Sequence, residues 1–220
     1  IGMAARIPLI YTRAEYISDA VGHITGLVAA LIAVPVIITL TAVWSSDAGT
    51  ITAMTIYGIC MIAMLGSSAL YNMVMRPSWR DILRRIDQSA IYLKIAGTYT
   101  PFVALTGSHA GLFLAGIWGV AFTGASLLLF SRGRIRVVSL ILYLGLGWAG
   151  AIWGGPLVST LSTPGFILLL IGGLTYTAGV VFLLWESLPF HNTIWHIFVL
   201  AATFVCYAAV MVELAQIAPT

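Results

Sequence analysis

Apolar residues run along this chain in seven long blocks separated by short polar breaks. The blocks cover about 16–44, 51–74, 86–106, 109–130, 136–158, 164–185 and 191–216. The breaks carry helix and turn punctuation: Trp44-Ser45-Ser46-Asp47, Arg76-Pro77, Thr106-Gly107, Ser131-Arg132 and Pro164-Gly165. At a rise of about 1.5 Å per residue, each block can cross roughly 30 Å of hydrocarbon. The blocks do not alternate with period two, so closed strands are not the expected way across. The pattern predicts an all-α fold, a bundle of seven transmembrane helices in a single domain over residues 1–220. No internal repeat and no low-complexity segment interrupts it.

Composition removes the alternatives. Hydrophobic residues make up 60 % of the chain and charged residues 8 %, against a usual charged share of about 25 %. Mean hydropathy is +1.04. A soluble domain needs a polar skin that this chain cannot make, which excludes an ordinary soluble enzyme as well as a disordered chain. Dividing 220 residues by seven leaves about 31 per span, enough for one helix and a short loop. The first block is too long for the apolar region of a cleavable signal and lacks a small-residue cleavage site, so no signal peptide is expected. Cys60 and Cys206 both lie in apolar blocks and read as packed thiols, not a disulfide framework.

The charge changes the picture once. A pI near 9.0 could suggest nucleic acid, but the nine arginines fall in three short segments: Arg6 and Arg13; Arg76, Arg80, Arg84 and Arg85; Arg132, Arg134 and Arg136. Those segments all lie on one side of a seven-span chain, and the loops of the other side have no Lys or Arg. The positive-inside rule then puts the N-terminus in the cytoplasm and the C-terminus outside, and no nucleic-acid partner is expected.

Ionisable residues inside a membrane helix each need an account. Glu15, Asp19, His23 and Gly26 share one face of the first helix by their spacing. Ser68 and Asn72 are one turn apart on the second. Asp87 opens the third, with Lys94 two turns on. Asn192 and His196 are one turn apart on the seventh, and Thr203 and Cys206 continue that face. All these ends point to the cytoplasmic side, so the residues are expected to converge on a pocket at one membrane level. His109 reads as a solvated turn residue and His191 as an interfacial cap or surface residue.

The stretch Ser68-Ala69-Leu70-Tyr71-Asn72 resembles the hemolysin III family, which belongs with the progestin and adipoQ receptors. So do the runs Leu83-Arg84-Arg85-Ile86-Asp87-Gln88-Ser89-Ala90-Ile91-Tyr92 and Ile95-Ala96-Gly97-Thr98-Tyr99-Thr100-Pro101-Phe102, the segment from Leu188 to Ala201, and Glu15 to Gly26. The resemblance implies seven helices, a cytoplasmic N-terminus and a zinc ion near the cytoplasmic side. It implies zinc ligands at a histidine ending the second helix and two histidines starting the seventh, beside a serine and an aspartate. Ser68 and Asp87 match the serine and aspartate, the candidate catalytic residues, and His196 matches one ligand. Asn72 and Asn192 stand at the other two ligand positions, and asparagine is a poor zinc ligand. His196 is left as the residual metal candidate, and no cofactor is assigned.

Lys94, the single lysine, stands where the family motif usually has an apolar residue. It lies about 10 Å along the axis from Asp87. Its long stem is expected to carry the ammonium back to neutralise Asp87, in place of a metal. Two functions follow. One is a lipid-binding or receptor-like protein in a bacterial inner membrane, with a membrane lipid or fatty-acid-like ligand in a pocket of Glu15, Asp19, His23, Asn72, Lys94, Asn192 and Thr203. The alternative, implied by the related alkaline ceramidases, is a zinc-dependent hydrolase of lipid amides. The two asparagines favour the first.

Overall fold

The computed structural model describes residues 12–45, 47–74, 76–107, 109–130 and 136–219. Among them are eight helices and no strand: α1 (Arg13–Trp44), α2 (Ala48–Met73), α3 (Pro77–Thr106), α4 (Gly111–Phe130), α5 (Arg136–Trp153), α6 (Gly155–Val158), α7 (Thr163–Leu184) and α8 (His191–Ala215). Arg6, Arg132 and Arg134 lie outside the described residues.

Two boundaries differ from the apolar pattern, each for a local reason. Helix α3 starts at Pro77, not near 86, because Pro77 presets the first helical turn and needs no N–H partner there. Its first turns are polar and exposed, so hydropathy hides them. The fifth block breaks at Gly154 into α5 and the one-turn α6. A side chain at 154 would run into the Gly150 carbonyl oxygen, and Pro156 opens the new turn.

Five helices are long and apolar enough to cross a membrane: α1, α2, α4, α7 and α8. Helix α7 decides how to read them. Its most apolar window has a mean hydropathy of 2.3, yet only 11 % of that window is buried inside the protein. A water-soluble fold would hide such a helix; this one turns Ile167, Ile171, Leu174 and Val181 outward. Helix α3, the least apolar of the long helices, is outside that group, and it takes the most central position. It packs against α2, α4, α5, α6 and α8, while α1–α2 and α7–α8 pack as pairs joined through α1–α8.

The helix ends are closed by side chains. Thr12 and Glu15 form a reciprocal capping box at the start of α1. Asp47 Oδ2 accepts from the Thr50 backbone N–H at 2.7 Å and from its hydroxyl at 2.8 Å. Those bonds hold the Asp47 carboxyl below its ordinary pKa. Ser162 caps α7, and its N–H and hydroxyl donate to the buried Glu213 of α8 at 3.0 and 2.6 Å. Inside the bundle, hydrogen bonds reach across between helices: Ser89 Oγ to Ala125 O (3.0 Å), Tyr143 Oη to Gln88 O (2.8 Å), Tyr207 Oη to Ala33 O (2.9 Å) and Trp148 Nε1 to Thr177 Oγ1 (3.1 Å). Such bonds hold helices together where lipid gives no hydrophobic drive.

One contact between α3 and α4 is set by a missing side chain. Tyr92, only 1 % exposed, lays its ring over Gly124, where a Cβ would come within 2.6 Å of the ring. Gly124→Val should therefore destabilise the protein by about 1–3 kcal/mol through overpacking. Gly119 on the exposed side of α4 has open space around it. Thermal unfolding in detergent should show a lower midpoint for Gly124→Val and an unchanged one for Gly119→Val.

Candidate functional site

Asp19 on α1 is the hub of a buried polar cluster. Its Oδ1 lies 2.6 Å from His196 Nδ1 on α8, and its Oδ2 lies 3.4 Å from His23 Nε2, one turn along α1. Asn192 Nδ2, one turn before His196, donates to Asp19 Oδ2 at 3.4 Å. The His23 and His196 rings tilt together with centroids 4.4 Å apart. The four-residue spacing on each helix stacks these pairs on facing stripes. Gly26 allows the approach: a Cβ there would stand 2.6 Å from Leu200, the next turn after His196.

Ser68 and Asp87 adjoin this cluster. Both line the same cavity as His23 and His196. These residues line one part of a cavity of about 250 Å³, walled mainly by α3, α5, α7 and α8 with contributions from α1, α2 and α6. The rest of its wall is largely apolar, including Phe102, Leu144, Leu157, Leu169 and Val199.

Other expected pocket residues sit elsewhere. Glu15 works at the helix ends: Oε2 accepts from Thr12 N and its hydroxyl, and Oε1 accepts from Phe190 N at 2.9 Å. Phe190 has φ +59°, a left-handed conformation that L side chains resist, so Glu15 holds a strained entry into α8. Asn72 turns back to its own helix, donating to Ser68 O at 2.9 Å. It shares a small recess with Glu15, Asp19, Arg80 and Asn192, apart from the main cavity. Thr203 is fully buried and hydrogen-bonds Tyr176 Oη at 2.6 Å. His191 is buried at 4 %, not at the surface, because the turn at Phe190 carries α8 into the protein. His109 is exposed in a short connection, as its sequence context suggested.

The expected Lys94–Asp87 ion pair does not form. Lys94 is 3 % exposed, and its Nζ donates to Tyr176 Oη at 3.0 Å, across the cavity on α7. Two turns of α3 separate it from Asp87, and Tyr176 lies level with it.

The bundle, its outward apolar surface and a polar cluster between the first and last long helices can be set beside known proteins. The Haemolysin-III related family model matches residues 14–207. The chain belongs to the haemolysin III family. It is 38 % identical over 202 residues to a hemolysin-3 homolog of Bacillus subtilis, covering 90 % of this chain and 94 % of that one. Against hemolysin-3 of Bacillus cereus it is 37 % identical, with 90 % of each chain covered. The human monocyte to macrophage differentiation factor is 32 % identical over 169 residues, 70 % of this chain and 67 % of its own. With the five apolar helices, these matches make this haemolysin III protein a multi-pass membrane protein.

The zinc implied by the sequence resemblance can be tested against this chain's donors. Asp19, His23 and His196 each offer one ligand atom, and these atoms lie within 4.8 Å of one another. His23 Nε2 is buried and makes no hydrogen bond. Two imidazoles and a carboxylate form a known zinc donor set that leaves a fourth position open. The residues fit, but with a different composition: Asp19 and His23 come from α1, and Asn72 donates its amide N–H to Ser68 O. Sequence reading placed both in the pocket without seeing them as ligands. The signal was the i, i+4 pair Asp19/His23, which lacked only a neighbour for α1.

These contacts predict which pairs are energetically coupled. In a stability cycle in detergent, Lys94→Met and Asp87→Asn should add within about 0.5 kcal/mol. Asp19→Asn and His196→Phe, which break one shared contact, should be strongly non-additive in the same assay.

Proposed function

We propose that this haemolysin III protein binds a single-chain lipid inside its bundle, in a seven-span arrangement with the N-terminus and the arginine segments cytoplasmic, in a bacterial inner membrane. One observation carries the reading. The cavity is lined mostly by apolar and aromatic side chains, with charged or imidazole groups at His23, Asp87, Lys94 and His196. That is the lining expected of a site for an acyl chain with a polar end. Helix α3 supplies a sixth crossing and α5 a short seventh, which agrees with arginines confined to alternate connections.

Purified protein should carry co-purifying lipid, identified by mass spectrometry after solvent extraction. Gly173 lines the cavity beside Trp148. Gly173→Leu should fill that space and lower both the retained lipid and the affinity for a fluorescent acyl probe by tenfold or more. Unchanged lipid content would refute the cavity reading. A reporter fused after Thr220 should be external, and one inserted next to Arg76 should be cytoplasmic; the reverse would refute the seven-span orientation.

A second reading has one observation in its favour, the Asp19, His23 and His196 donor set beside Ser68 and Asp87. It is a zinc-dependent hydrolase of lipid amides. Those three residues would hold the metal, which when bound polarises a carbonyl and makes a bound water acidic. Asp87 would hold a proton at its carboxylate beside that centre. Added zinc should raise the unfolding midpoint of the wild type, and His23→Ala should abolish the shift. Hydrolysis of a long-chain amide lost in Asp87→Asn would establish this reading; a metal-free wild type would remove it.

A further inference from the structure

Lys94 presents an electrostatic problem that the protein does not solve by itself. It is the single lysine of the chain, 3 % exposed, and it lines the apolar cavity. No carboxylate of the described residues pairs with it. Its ammonium has three N–H donors, and one hydrogen bond is made, to Tyr176 Oη. Tyr176 is itself fixed by Thr203 at 2.6 Å, so the ammonium is aimed and held. The same Tyr176 ring lies 5.2 Å from the ammonium, centroid to Nζ, and adds no counter-charge. A cation buried in hydrocarbon surroundings without a counter-charge is costly, and such groups mark ligand sites.

We propose that Lys94 is the anchor for the carboxylate of a fatty acid whose tail lies in the apolar part of the cavity. This rests on the lipid-cavity reading and names the head group that it takes. The charge is matched one to one: one ammonium, one monoanion, with the Tyr176 hydroxyl beside it as a second polar contact. A phosphate head group would call for several donors or arginine forks, and no arginine lines the cavity. The tail has a defined direction. From Lys94 to Phe102 the axis of α3 rises about 12 Å, and over that length Tyr99, Phe102, Leu157, Leu161 and Leu169 line the wall. Toward the other end lies Asp87, about 10 Å away along the helix. Its negative charge favours the tail taking the apolar side.

The experiment compares dodecanoate, dodecanol and dodecyl phosphate by equilibrium titration of the full chain in neutral phosphatidylcholine nanodiscs at constant pH. The wild type should bind dodecanoate at least tenfold more tightly than dodecanol. Lys94→Met should bind both at about the affinity of dodecanol, because the cavity remains and only the charge is gone. Tyr176→Phe, which leaves the lysine, should keep part of the preference. Equal wild-type affinity for acid and alcohol would overturn the proposal without touching the cavity, as would a Lys94→Met variant that still prefers the acid. Tighter wild-type binding of the phosphate than of the carboxylate would also overturn it. No wild-type binding of either dodecanoate or dodecanol would overturn the cavity reading itself. The wild-type comparison stands whether or not Lys94→Met folds.

Discussion

The least apolar of the long helices has to be the one that other helices surround. Helix α3 carries Arg80, Arg84, Arg85, Asp87 and Lys94. No arrangement that exposes its inner half to lipid is affordable, since a charge at the bilayer centre costs at least about 2.5–3.5 kcal/mol. Its central position, against α2, α4, α5, α6 and α8, follows from that constraint. The small residues of its neighbours follow in turn, as with Gly124 beneath Tyr92 and Gly150, whose N–H donates to Tyr99 Oη at 2.9 Å. The cavity is the other consequence. Helices that wrap a partner bearing long polar side chains cannot also close into a uniformly packed apolar core.

The same economy governs the two ends of α8. Glu15 reaches from α1 to the Phe190 N–H at its start, and Glu213 near its end accepts from Ser162 at the start of α7. Helix starts expose unpaired N–H groups and a partial positive charge, which carboxylates complement. Each acid therefore ties two helices near their ends, Glu15 in an exposed setting and Glu213 in a buried one where a lost partner costs more. Glu15, which its spacing groups with Asp19 and His23, is better understood through this role than as part of the cavity.

The seven apolar blocks, the all-helical fold and the family were legible in the sequence because hydropathy and motif are one-dimensional signals. The start of α3 was hidden because its exposed turns are polar, and the break at Gly154 because α6 is as apolar as α5. The site was legible by residue and not by partner. Asp19, His23, Asn192, His196, Ser68 and Asp87 were all drawn to one level by spacing. Which of them touch depends on how α1 and α8 pack, a long-range fact of the fold that spacing along either helix does not contain. Lys94 illustrates the same gap. Its distance from Asp87 was correct, but Tyr176, 82 residues away in sequence, could not be seen from the motif.

The two polar layers of the cavity make different demands on a ligand. The Asp19 cluster gathers two histidines and an asparagine within 3.4 Å of its carboxylate, and leaves His23 Nε2 without a hydrogen bond. A cation could join it through those donors. Lys94 is the reverse case, a fixed cation facing an apolar space with a neutral phenol as its partner. An anion entering that space gains an interaction undiminished by water, while an uncharged lipid of the same length gains only burial. Two layers about 10 Å apart along α3, one built around a carboxylate and one around an ammonium, would let a single cavity separate the recognition of a ligand's charge from any chemistry at its other end. The asparagines where the sequence resemblance implies zinc ligands need not leave the cavity without function, because Lys94 stands on α3, a different helix from Asn72 and Asn192.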